Sequence, residues 1–241
     1  FPVDIGIDYL AAHDSPRYND ERILKKGDVV KLDIGVHVNG AVTDCAVTVE
    51  IGTNKYDKLI ESAEEALKKA VEAAKSGIEV KEIGKIIKET IEKFGFSPII
   101  NLSGHRVDEY EVHAKPSIPN YDNGDKTKLV EWQVFAIEPF ATDGEGKVIE
   151  GKACGVYALI NLKNTRDKNA REILNFIAEE YKTLPFSERW LIKKFGLKVK
   201  FALLNLEREG IIKQYTILPE KSKGQVAQAE RTLIIGKGVI N

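Results

Sequence analysis

Asp33 and Asp44 lie eleven residues apart in Lys31-Leu32-Asp33-Ile34-Gly35-Val36-His37-Val38-Asn39-Gly40-Ala41-Val42-Thr43-Asp44-Cys45. Asn39-Gly40 sits between them, and Asn-Gly is the strongest two-residue hairpin signal when apolar, strand-forming residues flank it. With Asn39 and Gly40 as the loop, Asp33 faces Ala46 and Asp44 faces Gly35. The two aspartates then become diagonal neighbours on one face, roughly 7–8 Å apart at the backbone. Carboxylates so placed repel each other and lose hydration, and the usual remedy is a shared proton or a metal cation. Local sequence alone therefore suggests a metal site.

Five more positions could join it: His13, His105, His113, Glu138 and Glu230. Taken singly, the bland readings lead. His105 reads as a turn histidine, His113 as a surface or satisfied core histidine, and Glu230 as an exposed strand residue paired with Lys or Arg. Glu138 stands in Val134-Phe135-Ala136-Ile137-Glu138-Pro139-Phe140. A carboxylate in so apolar a run needs a partner, an ion pair being the plainest. Together, two Asp, two Glu and histidine make a carboxylate-rich set that suits a pair of divalent ions. Cys45 and Cys154 lack structural-zinc spacing, and Cys45 reads as a small hydrophobe on the other face of the hairpin. His37, near the hairpin tip, is assigned no role.

Other chemistries find no support. There is no Gly-x-Ser-x-Gly elbow, no phosphate-binding loop and no basic–aromatic interleaving for a nucleic-acid groove. The net charge of −1 gives no nucleic-acid footprint, so no specific nucleic acid is expected. No apolar run approaches a membrane span. Two cysteines in 241 residues argue for a reduced, cytoplasmic setting. The chain starts at Phe1 and has no methionine, which leads us to expect a fragment or a processed form.

The elements that must position these residues follow from periodicity. Residues 1–52 read as strands with short turns, and 56–75 and 80–94 as amphipathic helices closed by Gly77 and Gly95. A loop-rich stretch, 97–124, carries His105 and His113, and 129–141 and 147–160 read as strands. Residues 166–183, 186–194 and 199–210 read as three short helices, before strand-like sequence returns at 212–218 and 226–235. This order predicts an α+β core, residues 1–161 and 216–241, with a helical insertion at 162–215. Phe1-Pro2 leading to Ala11-Ala12-His13 is echoed by Phe96-Ser97-Pro98 leading to Ser103-Gly104-His105.

In this order the motifs become recognisable. Leu32-Asp33-Ile34-Gly35, Thr43-Asp44, Gly104-His105, Ile137-Glu138-Pro139-Phe140 and Ala227-Gln228-Ala229-Glu230 resemble the five metal-ligand motifs of methionine aminopeptidases. Ala11-Ala12-His13 with Pro16, and Val112-His113-Ala114 with Ser117-Ile118-Pro119-Asn120, resemble the two histidine motifs of the type II branch. The insertion, with Thr183-Leu184-Pro185-Phe186, is that branch's hallmark. The archaeal-like form is implied, with the opening helices of the family absent before Phe1. The chain departs from the pattern at Arg231, where histidine is common, and at Lys115, where glycine is common.

The resemblance implies the pita-bread α+β fold with a winged-helix-like insertion. It implies a metalloaminopeptidase that removes the initiator methionine of nascent polypeptides by hydroxide generated on two divalent ions, Co, Mn, Fe or Zn. Asp33 would hold one ion, Asp44 and Glu230 would bridge, and His105 and Glu138 would serve the second. His113 would stabilise the oxyanion, His13 would contact the peptide beyond the scissile bond, and Glu138 would relay the proton to the leaving amine. Phe1 and Val112 would line the methionine pocket. A monomer is expected, with ribosome association as a partnership consistent with the substrate. The rivals on the same fold are an Xaa-Pro peptidase and a non-catalytic pita-bread binding protein.

Overall fold

A computed structural model describes residues 1–241. The chain opens with β1 (Asp4–Ile7) and β2 (Leu10–Ala12), then β3 (Val29–Val38) and β4 (Ala41–Glu50). The hairpin of β3 and β4 has the register expected from Asn39-Gly40: Asp33 pairs with Ala46 and Gly35 with Asp44. Asn39 and Gly40 both take positive φ (50° and 91°), as a type I′ turn demands. β1 adds to β3, with Asp4 opposite Asp33.

Two helices follow, α1 (Asp57–Ala73) and α2 (Val80–Lys93). Each buries one stripe: Leu59, Ala63, Ala66 and Ala70 from α1, Val80, Ile83, Ile87 and Ile91 from α2. The spacing of three and four residues is that of an amphipathic helix laid on a core. Both stripes join the largest core cluster, with Phe135, Ile137, Ala227 and Leu233 from the sheet side. Gly84 lets α2 press onto the backbone carbonyls of Pro119 and Tyr121, where a Cβ would collide.

The strands β5 (Ser97–Pro98), β6 (Ser103–Asp108), β7 (Glu111–Pro119), β8 (Val134–Ile137), β9 (Phe140–Thr142) and β10 (Ala153–Leu159) come next. Then follow α3 (Lys168–Glu180), β11 (Phe186–Ser187), α4 (Glu188–Phe195), α5 (Val199–Arg208), β12 (Ile212–Thr216), β13 (Leu218–Pro219), β14 (Val226–Gln228), β15 (Arg231–Ile234) and β16 (Gly238–Val239). The five-stranded sheet has the order β16-β15-β8-β6-β7, and β14-β9-β5 forms a second sheet.

The structure breaks two stretches that periodicity reads as single strands. Residues 129–141 part into β8 and β9 around Glu138-Pro139, because proline has no N–H to give a ladder. Residues 226–235 part into β14 and β15 around Ala229-Glu230. β8 pairs with β15 in one sheet and β9 with β14 in the other. The two glutamates therefore stand side by side where both chains cross between sheets.

The helices α3, α4 and α5 build their own apolar core, with Ile173, Ile177, Phe186, Leu191, Leu203 and Leu206 buried in it. Asp167 caps α3 by accepting from the N–H groups of Asn169 and Ala170, and Ser187 caps α4 by accepting from Arg189. This unit is tied to the body through β12, which pairs with β10, and through an ion pair of Arg17 with Glu188 at 3.1 Å. No helix is long and apolar enough to cross a membrane.

Candidate metal centre

The hairpin supplies Asp33 and Asp44 from one face, as the register requires. β6 supplies His105, and the crossover points supply Glu138 and Glu230. An isolated antiparallel bridge draws Glu230 onto the hairpin: its N–H donates to Ala46 O at 3.0 Å, beside Asp44. The candidate ligand atoms of Asp44, His105 and Glu230 lie within 4.8 Å of one another, all on buried residues. His105 Nε2 is 3.7 Å from Asp44 Oδ2 and 3.6 Å from Glu138 Oε1. Asp33 is tied to Glu138 through Gln228, whose amide nitrogen stands 3.1 Å from Asp33 Oδ2 and 3.3 Å from Glu138 Oε2.

Four carboxyls thus crowd into one buried place. Burial pushes Asp33 up to about 6, against the hydrogen bond from Gln228 that pulls it down. Burial raises Asp44 well above the usual carboxylate range, and the charges of Asp33 and Glu138 add to it. Glu138 is raised by burial and then by Asp33, and Glu230 by burial and then by Asp44, Asp33 and Glu138. Burial lowers His105 to about 4, leaving it neutral at pH 7.

The donor set fits divalent cations. Asp33 Oδ1, Asp44 Oδ1 and both carboxylate oxygens of Glu230 are buried without any hydrogen-bond partner. Unpartnered buried oxygens are costly in a folded chain. Here they belong to neighbouring carboxylates with a neutral imidazole among them, the oxygen-rich, nitrogen-supplemented chemistry of a divalent metal site.

The site opens into a cavity of about 450 Å³ lined by Phe1, His13, Asp33, Asp44, His113 and Glu138, among others. Glu230 lies behind this wall, 1% exposed. His113, on β7, sets its ring edge-on to that of His105, with centroids 4.7 Å apart. It is open to the cavity, yet protein encloses it closely enough to push its pKa down to about 3. His13 follows β2 in the left-handed backbone region, φ 63°. Its Nδ1 is 3.1 Å from Thr216 O, and its ring meets Tyr215 edge-on. A carbonyl oxygen can only accept, so Nδ1 carries the proton and Nε2 is left as an acceptor. Burial lowers the pKa of His13 as well. The two echoed motifs thus bring His13 and His105 to one cavity.

Phe1 lies against Gly35, where a Cβ would run into its ring. Val112 is buried in a small cluster with Val42, Val107 and Leu184, against which Phe1 packs. It backs Phe1 and is not itself among the residues that line the cavity. Cys45 is half-buried on the outer face of the hairpin, and His37 accepts from the Gly40 N–H at the tip.

Three residues that sequence reasoning passed over complete the site. Gln228 bridges two of the carboxylates. Thr48 and Thr232 clamp the strands that carry the others, through hydrogen bonds across 180 and 188 residues of sequence. Gln228 lies two positions before Glu230, the strand spacing for a shared face, and that was the one signal available.

The sequence pattern of metallopeptidase family M24 matches residues 1–169. The chain belongs to that family. It is 48% identical over 238 residues to the methionine aminopeptidase of Archaeoglobus fulgidus, a match covering 99% of this chain and 80% of the relative. That alignment runs through the final strands, where Glu230 lies. Among solved structures, a thermophilic Arx1 superposes with TM-score 0.81 at 18% identity, covering all of this chain and 74% of that one. A methionine aminopeptidase from Thermotoga maritima superposes with TM-score 0.66 at 22% identity, covering 99% and 72%. Both likenesses show the pita-bread fold. The activity of the chain is methionine aminopeptidase activity, a metal-dependent hydrolysis of the first peptide bond, in preference to either rival reading.

Proposed function

We propose that the five residues Asp33, Asp44, His105, Glu138 and Glu230 hold two divalent cations, and that the chain is of the type II branch. The observation that carries the first part is the set of four orphaned oxygens on Asp33, Asp44 and Glu230. The second rests on the helices α3 to α5, which lie in sequence between Glu138 and Glu230. Cobalt, manganese, iron and zinc all suit such ligands. When bound, the cations supply Lewis-acid polarisation and a lowered pKa for water.

The chain's own groups do the rest. Phe1 and the apolar wall behind it, Val112 included, receive the methionine side chain. His13, held in one tautomer by Thr216, presents Nε2 as an acceptor for a peptide N–H beyond the scissile bond. His113 stands over the cavity beside His105, placed to donate from its ring N–H to the carbonyl oxygen as that oxygen gains charge. Glu138, which lines the cavity beside His105, would take the proton and pass it to the leaving amine. Nascent chains as substrates fit a cytoplasmic setting and contact with the ribosome.

Calorimetric titration of the metal-free protein with cobalt(II) tests the reading. Two equivalents bound per chain, with loss of binding in Asp44→Asn, are expected. A single equivalent, or binding that survives Asp44→Asn, would refute the two-cation site.

A further inference from the structure

Gln228 is a neutral residue in a nest of acids. It is 1% exposed and lies in β14. Its amide nitrogen donates to Asp33 Oδ2 at 3.1 Å and to Glu138 Oε2 at 3.3 Å. The amide has one end that donates and one that accepts, and both neighbours are carboxylates. Only the –NH2 end can face ionised carboxylates, the state of metal ligands, which fixes the orientation.

The contact selects oxygens. It engages Oδ2 of Asp33 and leaves Oδ1 without a partner. It engages Oε2 of Glu138 and leaves Oε1 turned to His105 Nε2 at 3.6 Å. The engaged oxygens are taken up by Gln228, while Asp33 Oδ1 stays unpartnered and Glu138 Oε1 faces His105. A glutamine with two N–H bonds, one to each carboxylate, sets how far apart those carboxylates stand.

The backbone of Gln228 is itself held. Thr48 Oγ1, on β4, donates to Gln228 O at 2.7 Å and accepts from the Gln228 N–H at 2.8 Å. A single hydroxyl thus fastens both polar groups of the residue, and Thr48 is four positions beyond Asp44 on the same strand. Any slip of β14 against β4 would move the amide off one carboxylate.

We propose that Gln228, fixed by Thr48, is the positioning residue of the metal centre: it spaces Asp33 from Glu138 and so sets the separation between the two cation positions. This rests on the reading above, in which Asp33 and Glu138 serve different cations. Loss of such an outer hydrogen-bonding partner typically weakens metal affinity about 10–100-fold.

The test uses cobalt(II) chloride on the whole chain, followed by calorimetry and by the visible absorption bands of the bound ion. Gln228→Leu keeps the bulk and removes the donor. The expected result is cobalt(II) affinity weakened ~10–100-fold with altered absorption bands. Wild-type affinity with an unchanged spectrum would overturn the proposal, as would lowered thermal stability of the metal-free protein with cobalt binding intact. If Gln228→Leu does not fold, Thr48→Val and Thr48→Ser decide. Ser retains the hydroxyl and should bind cobalt as wild type does, Val should not, and equal behaviour of the two overturns the proposal. Wild-type protein that binds no cobalt(II) would mark the failure of the underlying metal-site reading, a result distinct from either.

Discussion

Thr232 holds Asp44 by both of its backbone polar groups: Thr232 Oγ1 accepts from the Asp44 N–H at 2.7 Å and donates to Asp44 O at 2.8 Å. The same hydroxyl clamp recurs between Thr48 and Gln228, and the Ala46–Glu230 bridge lies midway between them. Two strands far apart in sequence are thereby registered so that Asp44 and Glu230 share one site. Asn241 also donates to Asp44 O, so removing the Thr232 hydroxyl orphans chiefly the Asp44 N–H. Thr232→Val should destabilise the metal-free protein by about 1–3 kcal/mol, the cost of an unpaired buried donor. Thr232→Ser should recover most of it. Urea unfolding of the two variants checks this, and equal stabilities would show that the hydroxyl does not hold the strand.

What was legible in the sequence was what local pattern encodes. Asn39-Gly40 specifies a turn with positive φ at both positions, and that turn alone dictates which face Asp33 and Asp44 occupy. The stripes of α1 and α2 follow from spacings of three and four residues. Pro139 marks the break between β8 and β9, but the crossover of β8 into β9 and of β14 into β15 from one sheet to the other was not legible, because the change of sheet is decided by partners elsewhere in the chain. Gln228, Thr48 and Thr232 escaped for the same reason, since their roles exist only once strands 180 or more residues apart are brought together. The resemblance, not local pattern, assigns Phe1 and Val112 to the methionine pocket. Alternation along β7 turns the Val112 side chain into the cluster against which Phe1 packs.

His113 touches no carboxylate and is set edge-on to His105. Its replacement should therefore spare the metal and injure the reaction. His113→Ala should lower turnover of a Met-Gly-type peptide by ~10²–10³, the usual cost of one oxyanion donor. Metal content by elemental analysis should stay at the wild-type level. A variant that loses its metal would make His113 a ligand, and one with unchanged turnover would have no role for it at the carbonyl.

The buried carboxyls and histidines act on stability in opposite senses. Asp33, Asp44, Glu138 and Glu230 have pKa values raised by folding, so the folded metal-free protein holds their protons longer than the unfolded chain does. Their contribution is present at low pH and lost as pH rises through the folded values, about 6 for Asp33. His105 and His113 have lowered values, and their contribution is lost as pH falls from 6.5 toward about 4 and about 3. Between pH 6.5 and pH 8 the unfolded chain still sheds histidine protons, and Lys31, which burial lowers to about 7, loses its own in the folded chain first; both raise stability with pH, so a variant is needed to isolate the carboxyls. The melting temperature of chelated Glu230→Gln relative to that of the chelated wild type should therefore rise between pH 6.5 and pH 8. Saturating cobalt(II) should flatten or reverse that slope, because the cation competes with the same protons. A difference between variant and wild type that stays constant over that range without metal would mean that Glu230 is already ionised at pH 6.5.

Gly35 tests the apolar wall without touching a ligand. It shares the hairpin face of Asp33 and Asp44, and its missing Cβ is the space filled by the Phe1 ring. Gly35 is a β3 residue outside the positive-φ set, so alanine brings bulk and no backbone penalty. Gly35→Ala should push the Phe1 ring off the strand and reshape the pocket that takes the first side chain. Contacts of this size in an apolar pocket are worth ~1–3 kcal/mol, or about 10–200-fold in kcat/KM. The loss should appear in steady-state kinetics on methionyl peptides, with cobalt(II) affinity unchanged by calorimetry. If kcat/KM for methionine survives the substitution, Phe1 does not recognise the substrate and the methionine side chain must lie elsewhere along the cavity.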